Sequence, residues 1–370
     1  MAGERDSGST TKVFFTPLPE ASTPEQMAAA AGRLWERMGL DGLIDPDGLV
    51  ALKQHFGERG SENYIPAPVA RAIGARVLAA GGKPFSTDSN TLYNGMRANA
   101  VDHLTIAHRH GFSHETLGFP VIIADGLKGE AQVTLDGEGP TLSHVFLAAG
   151  GYLADTVVVL THVTGHLAAG LGASIKNVAM GLAGRAGKLQ QHHDAEPIFS
   201  ADVCVACGLC ARHCPVDAIT IETTAVLDPE RCIGCGECYA FCPHGAVSFD
   251  WDTTSADLQK KMADYCLAFH RAKQGRIVYM NFITRVTPNC DCLGKSETPL
   301  PDIGIVAAFD PVAADAAAVD LLDQQHGHDV FGRLWPHCSH RTQLAYGQSV
   351  GLGAMDYDLV TVAGEERREA

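Results

Sequence analysis

Positive charge is scarce in this sequence. It holds 28 Lys and Arg residues against 43 Asp and Glu, a formal net charge of −15 at pH 7. Nucleic acids and anionic membrane surfaces attract basic proteins, so this balance argues against both as main partners. Charged residues make up only 19% of the chain and apolar residues 46%. That composition excludes an intrinsically disordered protein and indicates a globular chain of two or three domains.

Long apolar runs are also missing. The most apolar stretch, residues 145–160, contains two glycines and Asp155, so it is too short and too interrupted to span a bilayer. The first ten residues are polar and lack the apolar centre of a secretory signal. Because twelve cysteines occur without an export signal, we expect ligands and free thiols instead of disulfides, and a cytoplasmic location.

Eight of the twelve cysteines occur in two copies of one motif, CxxCxxCxxxCP. The two copies contain Cys204, Cys207, Cys210 and Cys214, then Cys232, Cys235, Cys238 and Cys242. This run is typical of bacterial ferredoxins with two [4Fe–4S] clusters, in which the fourth cysteine of each copy binds the other cluster. The motif therefore predicts that Cys242 completes the first cluster and Cys214 the second. Zinc ribbons, the alternative, use two CxxC pairs and not this doubled run.

Alternating strand and helix patterns flank the cysteine-rich segment. The apolar runs at 121–123 and 157–160 suit strands of a mostly parallel sheet that is buried on both faces. We therefore predict an α/β domain built from residues 12–196 and 251–363, with a ferredoxin-like α+β domain at 197–250 inserted in it. Three domains in series are the alternative. The absence of a Pro- or Gly-rich linker on either flank favours insertion.

Capping signals define the first predicted helix. Thr23 has the side chain of an N-cap, Pro24 suits the first turn, Gln26 completes a capping box and Gly39 ends the helix. Residues 1–11, before it, are predicted to be a disordered tail. Further helices are predicted at 66–80, 258–273 and 312–324, and further strands at 49–56, 276–282 and 303–309.

Polar side chains stand where two of the predicted strands end. Lys53 and His55 alternate at the end of the first strand, so they share one face and need polar partners there. Asp88 and Asn90 follow the next strand. These residues indicate a substrate or metal pocket or, as the alternative, a polar cluster at the edge of a sheet.

A glycine-rich segment follows the apolar strand at 157–160. His162 and His166 stand at its start, and Lys176 and Asn177 at its end. A strand, a glycine-rich turn and a helix that carries Lys can bind an anionic group. The glycine spacing fits neither a Walker A loop nor a dinucleotide fingerprint. The alternative is that the glycines serve packing.

Two further cysteines, Cys290 and Cys292, lie in the turn-like sequence Asn289-Cys290-Asp291-Cys292. The repeats already supply all the cluster ligands, so these two indicate a third metal site, a redox-active pair or a substrate thiol near a cluster. Nearby Lys or His would make them reactive, because positive charge lowers a thiol pKa. The alternative is a pair of ordinary buried thiols. Cys266, in an amphipathic helix, has the pattern of a core residue.

Several motifs together resemble one family. They are KxHFGE at 53–58, DxNxxY at 88–93, IADG at 123–126, IKNVAMG at 175–181, the eight repeat cysteines, NCDC at 289–292 and PDIGIxAxxDPVAxD at 301–315. This set is similar to uncharacterised prokaryotic iron–sulfur proteins whose domain of unknown function is numbered three hundred and sixty-two. The resemblance covers nearly the whole chain and implies architecture more than activity.

A second likeness is to lactate racemase-type proteins. In that group a histidine stands ten positions before a lysine that tethers a nickel-pincer cofactor. His166 and Lys176 have this spacing, with Gly170 and Gly172 between them. The residues after the lysine differ from that pattern.

These features predict an iron–sulfur protein that passes low-potential electrons through two [4Fe–4S] clusters to a site in the α/β domain. Catalysis is assigned to Lys53, His55, His166, Lys176, Cys290 and Cys292, and cofactor binding to Asp88, Asn90, His162 and Asn177. A redox partner protein or a small-molecule substrate would exchange electrons with it. The alternative is a non-catalytic electron carrier, or a maturation factor that delivers metal or cofactor to a partner.

Overall fold

The computed structural model describes residues 10–92, 95–192, 197–214, 216–232, 237–248, 255–293 and 298–363. Its strands are β1 (Thr11–Pro17), β2 (Leu49–Lys53), β3 (Lys83–Asp88), β4 (Val121–Ile123), β5 (Gln132–Asp136), β6 (His144–Ala148), β7 (Thr156–His162), β8 (Thr164–His166), β9 (Gly170–Gly172), β10 (Ile198–Phe199), β11 (Ile219–Ile221), β12 (Ala225–Leu227), β13 (Val247–Ser248), β14 (Ile277–Ile283), β15 (Gly304–Ala308) and β16 (Tyr357–Thr361).

Its helices are α1 (Pro24–Met38), α2 (Ala67–Ala79), α3 (Ala100–Arg109), α4 (His114–Leu117), α5 (Ala149–Leu153), α6 (Ser174–Ala179), α7 (Arg185–His192), α8 (Leu209–Arg212), α9 (Glu237–Ala240), α10 (Ser255–Ala272), α11 (Pro311–His326), α12 (Val330–Leu334) and α13 (Thr342–Ser349). Single 3-10 turns span Leu40–Leu43 and Asp291–Leu293. Within the described ranges, no helix combines the length and apolarity that crossing a membrane requires.

Eight strands form one central sheet in the order β16-β1-β15-β14-β7-β2-β3-β4. The neighbours from β14 to β4 all pair in parallel. The strand β15 is antiparallel to both of its neighbours, and β16 is parallel to β1. The prediction of a mostly parallel α/β sheet is confirmed.

The middle of the sheet is buried on both faces. Val157 and Val159 of β7 belong to a core with α6, α10 and α11, whereas Val158 and Leu160 belong to a core with α1 and α2. Every residue of β7 and of β14 is buried. Helices on both sides explain why these strands read as continuous apolar runs and do not alternate with polar residues.

The caps of α1 are those predicted. The Thr23 hydroxyl accepts a hydrogen bond from the Gln26 amide at 3.2 Å, and the Gln26 side chain accepts one from the Thr23 amide at 2.8 Å. Gly39 ends the helix at φ 64°, in the left-handed region that favours glycine. The strand predicted at 49–56 is shorter, because pairing ends at Lys53.

Several strands were missed. The predicted tail at 1–11 is wrong at Thr11, where β1 begins, and residues 1–9 lie outside the described residues. The edge strand β16 is largely exposed and has no apolar alternation that would reveal it. The hairpins β5–β6 and β8–β9 were also missed, and they form separate two-stranded sheets outside the central one.

The cysteine-rich segment builds separate small sheets. In residues 197–248, β10 pairs with β13 and β11 with β12, around an apolar cluster of their own. The strands of the central sheet that come before and after this segment in the chain are β7 and β14, and they pair with each other. The domain boundaries at 197 and 250 remain a prediction, and residues 249–254 lie outside the described ones.

Deletion of residues 198–248 should leave the α/β sheet folded. Ile198 pairs with Ser248, so the two ends of the segment already meet and a short Gly-Ser linker can join them. We expect one cooperative thermal transition by circular dichroism. As a control, deletion of 132–148 removes Val145 and Leu147 from the main core and should abolish that transition. Loss of the transition in the first deletion as well would contradict insertion.

Candidate functional site

A cavity of about 380 Å³ lies at the carboxyl ends of β2, β3 and β7 and beside the loop that follows β14. The chain order changes direction here, since β2 has β3 and β4 on one side and β7 on the other. Ligands of open α/β sheets bind in the crevice at such a switch point. The topology therefore places polar strand ends around one opening.

All but one of the predicted site residues outside the cysteine repeat line this cavity. The lining includes Lys53, His55, Asp88, His162, His166, Lys176, Asn177, Cys290 and Cys292. The exception is Asn90, whose side chain donates to Asp125 Oδ1 at 2.8 Å and to the Gly126 carbonyl at 2.9 Å. Asn90 therefore holds the turn after β4. Its assignment to cofactor binding and the roles of the others stay predictions.

Lys53 is the buried cation at the end of β2, with 1% of its surface exposed. Its Nζ donates to Asn177 Oδ1 at 2.6 Å and pairs with Asp88 Oδ1 at 3.1 Å. Burial lowers the pKa of Lys53, and the charge of Asp88 opposes this shift. Burial alone would raise the pKa of Asp88, but the charges around it, Lys53 foremost, hold it below its ordinary value. The two groups form a buried ion pair.

Other residues complete this polar network and were not predicted. Arg97 contacts Asp88 at 3.5 Å and Glu58 at 3.3 Å. Lys188 donates to Ser89 Oγ at 2.6 Å, and burial lowers its pKa to about 8. Gly181 is required by packing, because a Cβ there would lie 2.4 Å from Lys53 Nζ. The IKNVAMG motif, which ends at this glycine, was the available signal.

His162 binds protein acceptors through both ring nitrogens. Its Nδ1 lies 2.8 Å from Asp291 Oδ2, and its Nε2 lies 2.9 Å from the Thr284 carbonyl. Burial opposes the charged form, but Asp291 and the carbonyls outweigh it and raise the pKa of His162. Acceptors at both nitrogens favour the imidazolium form, and these contacts hold the loop after β14. The assignment of His162 to cofactor binding stays a prediction.

His55 and His166 are held in one tautomer. The Nδ1 of His55 accepts from the Gly57 amide at 2.9 Å, and the Nδ1 of His166 accepts from the Ala169 amide at 3.0 Å. Each neutral ring therefore carries its proton on Nε2. Burial, with the charge of Lys176, lowers the pKa of His166 well below its ordinary value. Both rings thus act as hydrogen-bond donors at Nε2.

Two thiols and Lys176 share the other side of the cavity. Cys290 and Cys292 both line the cavity, and His55 Nε2 lies 3.4 Å from Cys292 Sγ. The interaction with Cys290, together with His55 and Lys176, outweighs burial and lowers the pKa of Cys292 well below its ordinary value. Burial lowers and the two thiols raise the pKa of Lys176, and the thiols prevail. Among the described residues, none accepts a hydrogen bond from Lys176.

Apolar side chains complete the cavity wall. They are Leu92, Leu167, Met180, Leu258 and Met262. An apolar wall that faces a few fixed polar groups is typical of sites for small organic molecules.

A second, smaller cavity lies in the cysteine-rich segment. It is lined by Cys204, Cys207, Cys210 and Cys242. Its fourth cysteine thus comes from the second repeat, and Cys214 does not line it. Backbone amides donate to two of the sulfurs, Ala225 to Cys204 at 3.4 Å and Ala246 to Cys242 at 3.3 Å. Such bonds stabilise thiolate ligands.

The other predicted ligand set is only partly described. Cys214 accepts from the Ala218 amide at 3.2 Å, at the position equivalent to the Cys242 contact. Cys235 lies outside the described residues. In the part of the chain that the structure describes, no three His, Cys, Asp or Glu side chains are grouped to hold a single metal ion. A [4Fe–4S] cluster does not need three ligands around a single ion, because each of its four thiolates binds a separate iron.

The remaining cysteines serve packing. Cys266 is fully buried in the core beside the central sheet, as predicted. Cys338 donates to the Leu167 carbonyl at 3.2 Å and thereby holds the turn that follows His166.

The fold and this site define an α/β protein with a polar cavity at its switch point and a separate cysteine-lined cavity. The chain belongs to the family described as a domain of unknown function (DUF362), which matches residues 50–320. No curated protein matches the chain.

Two solved structures resemble the fold weakly. A crystal structure of a Thermotoga maritima protein is 11% identical, with a TM-score of 0.44 over 83% of this chain and 60% of that one. The lactate racemase apoprotein from Thermoanaerobacterium thermosaccharolyticum is 10% identical, with a TM-score of 0.40 over 84% of this chain and 57% of that one. The chain thus spans less than two thirds of either relative, and similarity at this level says nothing about activity.

Replacement of Lys53 by Met should destabilise the fold. It leaves the Asp88 carboxylate buried without its main partner, and breaking a buried ion pair costs about 3 kcal/mol. The measurement is urea unfolding at pH 7. Lys83→Met is the matched control, because Lys83 pairs with Asp47 on the surface and its loss should change stability little. Equal effects of both variants would contradict a charged pair at Lys53.

His162 and His166 should differ in charge at pH 7. Nitrogen-15 NMR of histidine-labelled protein should show His162 protonated on both nitrogens, because both face acceptors. His166 should be neutral with its proton on Nε2. Asp291→Asn should lower the pKa of His162, since it removes the charge that raises it. A neutral His162 in the parent protein would overturn this assignment.

Proposed function

We propose that the protein is an oxidoreductase that carries electrons through two [4Fe–4S] clusters, held by residues 197–250, to the cavity at the strand ends. The observation that carries this proposal is the composition of the smaller cavity. Three cysteines of one repeat and the last cysteine of the other line it together, which is the ligand set that the doubled motif predicts for one cubane.

The surroundings of these cysteines suit an iron–sulfur cluster. The donor set is four thiols, and apolar side chains such as Val205, Ile221 and Val247 complete the lining. Backbone amides already point at Cys204 and Cys242. A cluster bound there supplies one-electron transfer. Cys207 is exposed, so this end of the segment is accessible to a redox partner protein.

The residues of the larger cavity suit reduction of a small molecule. Lys176 offers an ammonium without a hydrogen-bond acceptor among the described residues, which can bind an anionic group of a substrate. His55 and His166 present Nε2–H groups, which can hold or donate protons as negative charge develops. Burying these groups is costly, and perturbed pKa values concentrate at functional sites.

A non-catalytic carrier or a maturation factor remains the second candidate. A carrier has no use for a cavity at a sheet switch point that holds two cysteines, two neutral histidines and buried lysines. A third metal ion is less well supported, because no group of three ligands is formed by the described residues. The polar cavity therefore favours an enzyme.

Double substitutions should reveal which cysteines share a cluster. The parent protein, purified anaerobically, should hold about eight irons. Cys207→Ala and Cys242→Ala should together remove one cluster and leave about four irons, because both residues line one cavity. Cys207→Ala with Cys214→Ala should remove both clusters. Iron and sulfide analysis with EPR measures the outcome.

Cys338→Ala is the control, because this thiol contacts only a carbonyl and should leave the iron content unchanged. If the first pair lost all iron and the second only half, cross-ligation between the repeats would be wrong. Zinc in place of iron in the parent protein would refute the proposed function.

A further inference from the structure

We infer that Cys290 and Cys292 form a dithiol–disulfide couple, with Cys292 as the attacking thiolate, and that the couple reduces a small disulfide in the larger cavity. The inference deepens the proposed function and rests on it for the source of electrons. The contacts around the two thiols do not depend on that source.

A backbone amide determines which nitrogen of His55 carries the proton, and so what His55 presents to Cys292. The Gly57 amide donates to His55 Nδ1 at 2.9 Å, so that nitrogen cannot carry a proton in the neutral ring. The proton then lies on Nε2, which faces Cys292 Sγ at 3.4 Å. An N–H donor directed at sulfur stabilises a thiolate and not a thiol. His55 therefore acts as a fixed donor to Cys292 and not as its base.

The charges around Cys292 also favour a thiolate. The titratable groups that face it are Cys290, His55, Lys53, His166, Lys176 and Asp291. Lys53 and Lys176 favour the thiolate, whereas the Asp291 carboxylate opposes it. Interaction with Cys292 and burial raise the pKa of Cys290. Cys292, which His55 contacts, is therefore the ionised sulfur of the couple and Cys290 the protonated one.

The turn that carries the cysteines is anchored from two sides. Asp291, between them, is bound through its carboxylate by His162 at 2.8 Å and through its carbonyl by the Glu58 amide at 3.3 Å. One residue separates the two cysteines, a 3-10 turn begins at that residue, and both cysteines line the cavity.

The chemistry balances as thiol–disulfide exchange. The Cys292 thiolate attacks one sulfur of the substrate, forms a mixed disulfide and releases one substrate thiolate. Cys290 then loses its proton and attacks Cys292 Sγ, which releases the second half of the substrate and forms the Cys290–Cys292 disulfide. The substrate takes up two electrons and two protons in all, one proton from Cys290 and one from solvent. A low-potential iron–sulfur donor returns two electrons, with one proton from solvent to Cys290, and restores the Cys292 thiolate and the Cys290 thiol.

The cavity also limits the substrate. A volume of about 380 Å³ admits a small molecule but not a folded protein. When Cys292 enters the mixed disulfide its negative charge disappears, and Lys176 is left without its counter-charge. A carboxylate on the substrate would replace the lost negative charge beside Lys176. The geometry therefore points to a small disulfide that carries carboxylates, and cystine is a suitable probe.

The first test follows alkylation of each cysteine in the anaerobically purified full-length protein. Iodoacetamide labelling from pH 5 to pH 9, read by peptide mass spectrometry, should place the midpoint for Cys292 below that of an ordinary cysteine. His55→Leu should raise the midpoint and slow labelling at pH 6 by about tenfold per pKa unit. His55→Gln, which keeps an N–H donor, should restore much of the rate. An ordinary profile for Cys292, or one unchanged in His55→Leu, would overturn the inference.

The second test uses cystine. One equivalent should produce a Cys290–Cys292 disulfide and two cysteines, and Cys290→Ser should accumulate cysteine bound to Cys292. Cys292→Ser should form no mixed disulfide. Cysteine trapped on Cys290 instead, or no exchange in a protein with full iron content, would refute the inference alone. Normal exchange in a protein that binds no iron would refute the proposed function and leave the dithiol couple intact.

Discussion

The larger cavity depends on the buried contact between His162 and Asp291. One residue ends β7 and the other lies in the loop after β14, so the pair ties the cysteine-bearing turn to the central sheet. The imidazolium also binds the Thr284 carbonyl, which leaves neither nitrogen free. Without it, a buried carboxylate between two thiols would lack its counter-charge, and such a loss is costly. The positions of both thiols therefore follow from one ion pair.

Charge within the cavity is paired locally. Asp88 faces Lys53 and Arg97, and Asp291 faces His162. Lys176 faces instead the two cysteines, of which Cys292 is the negative one in the proposed couple. Oxidation of the thiols changes the charge beside Lys176 and leaves the other pairs as they are. The redox state of the cysteines and the affinity for an anion would thus be linked through this one lysine.

The proposed couple would connect two kinds of redox chemistry in one chain. Clusters of the predicted type transfer single electrons, whereas a dithiol reacts with its substrate by two. Two clusters, as proposed, would together supply the two electrons that one dithiol needs. Glycine at 181 and the Gly57 amide show that backbone as well as side chains shapes the site, one by leaving room for Lys53 and the other by orienting His55.

Much of the site was visible in the sequence because the carboxyl ends of parallel strands meet at one edge. Once 49–53 and 157–160 are taken as neighbouring strands, Lys53 and His162 must lie close together. Asn90 lies just beyond a strand end as well, but its side chain turns toward the next loop and does not line the cavity. The edge strand β16 was missed because it is largely exposed and carries little apolar pattern.

The sequence by itself determined the cysteine repeat, the α/β class and the caps of α1, because covalent spacing, apolar periodicity and local hydrogen bonding are properties of short segments. Only the tertiary structure decided which nitrogen of each histidine is occupied, which lysine is paired, and that Arg97 and Lys188 join the polar network. Those features depend on contacts between residues that are distant in the chain, and no local pattern contains them.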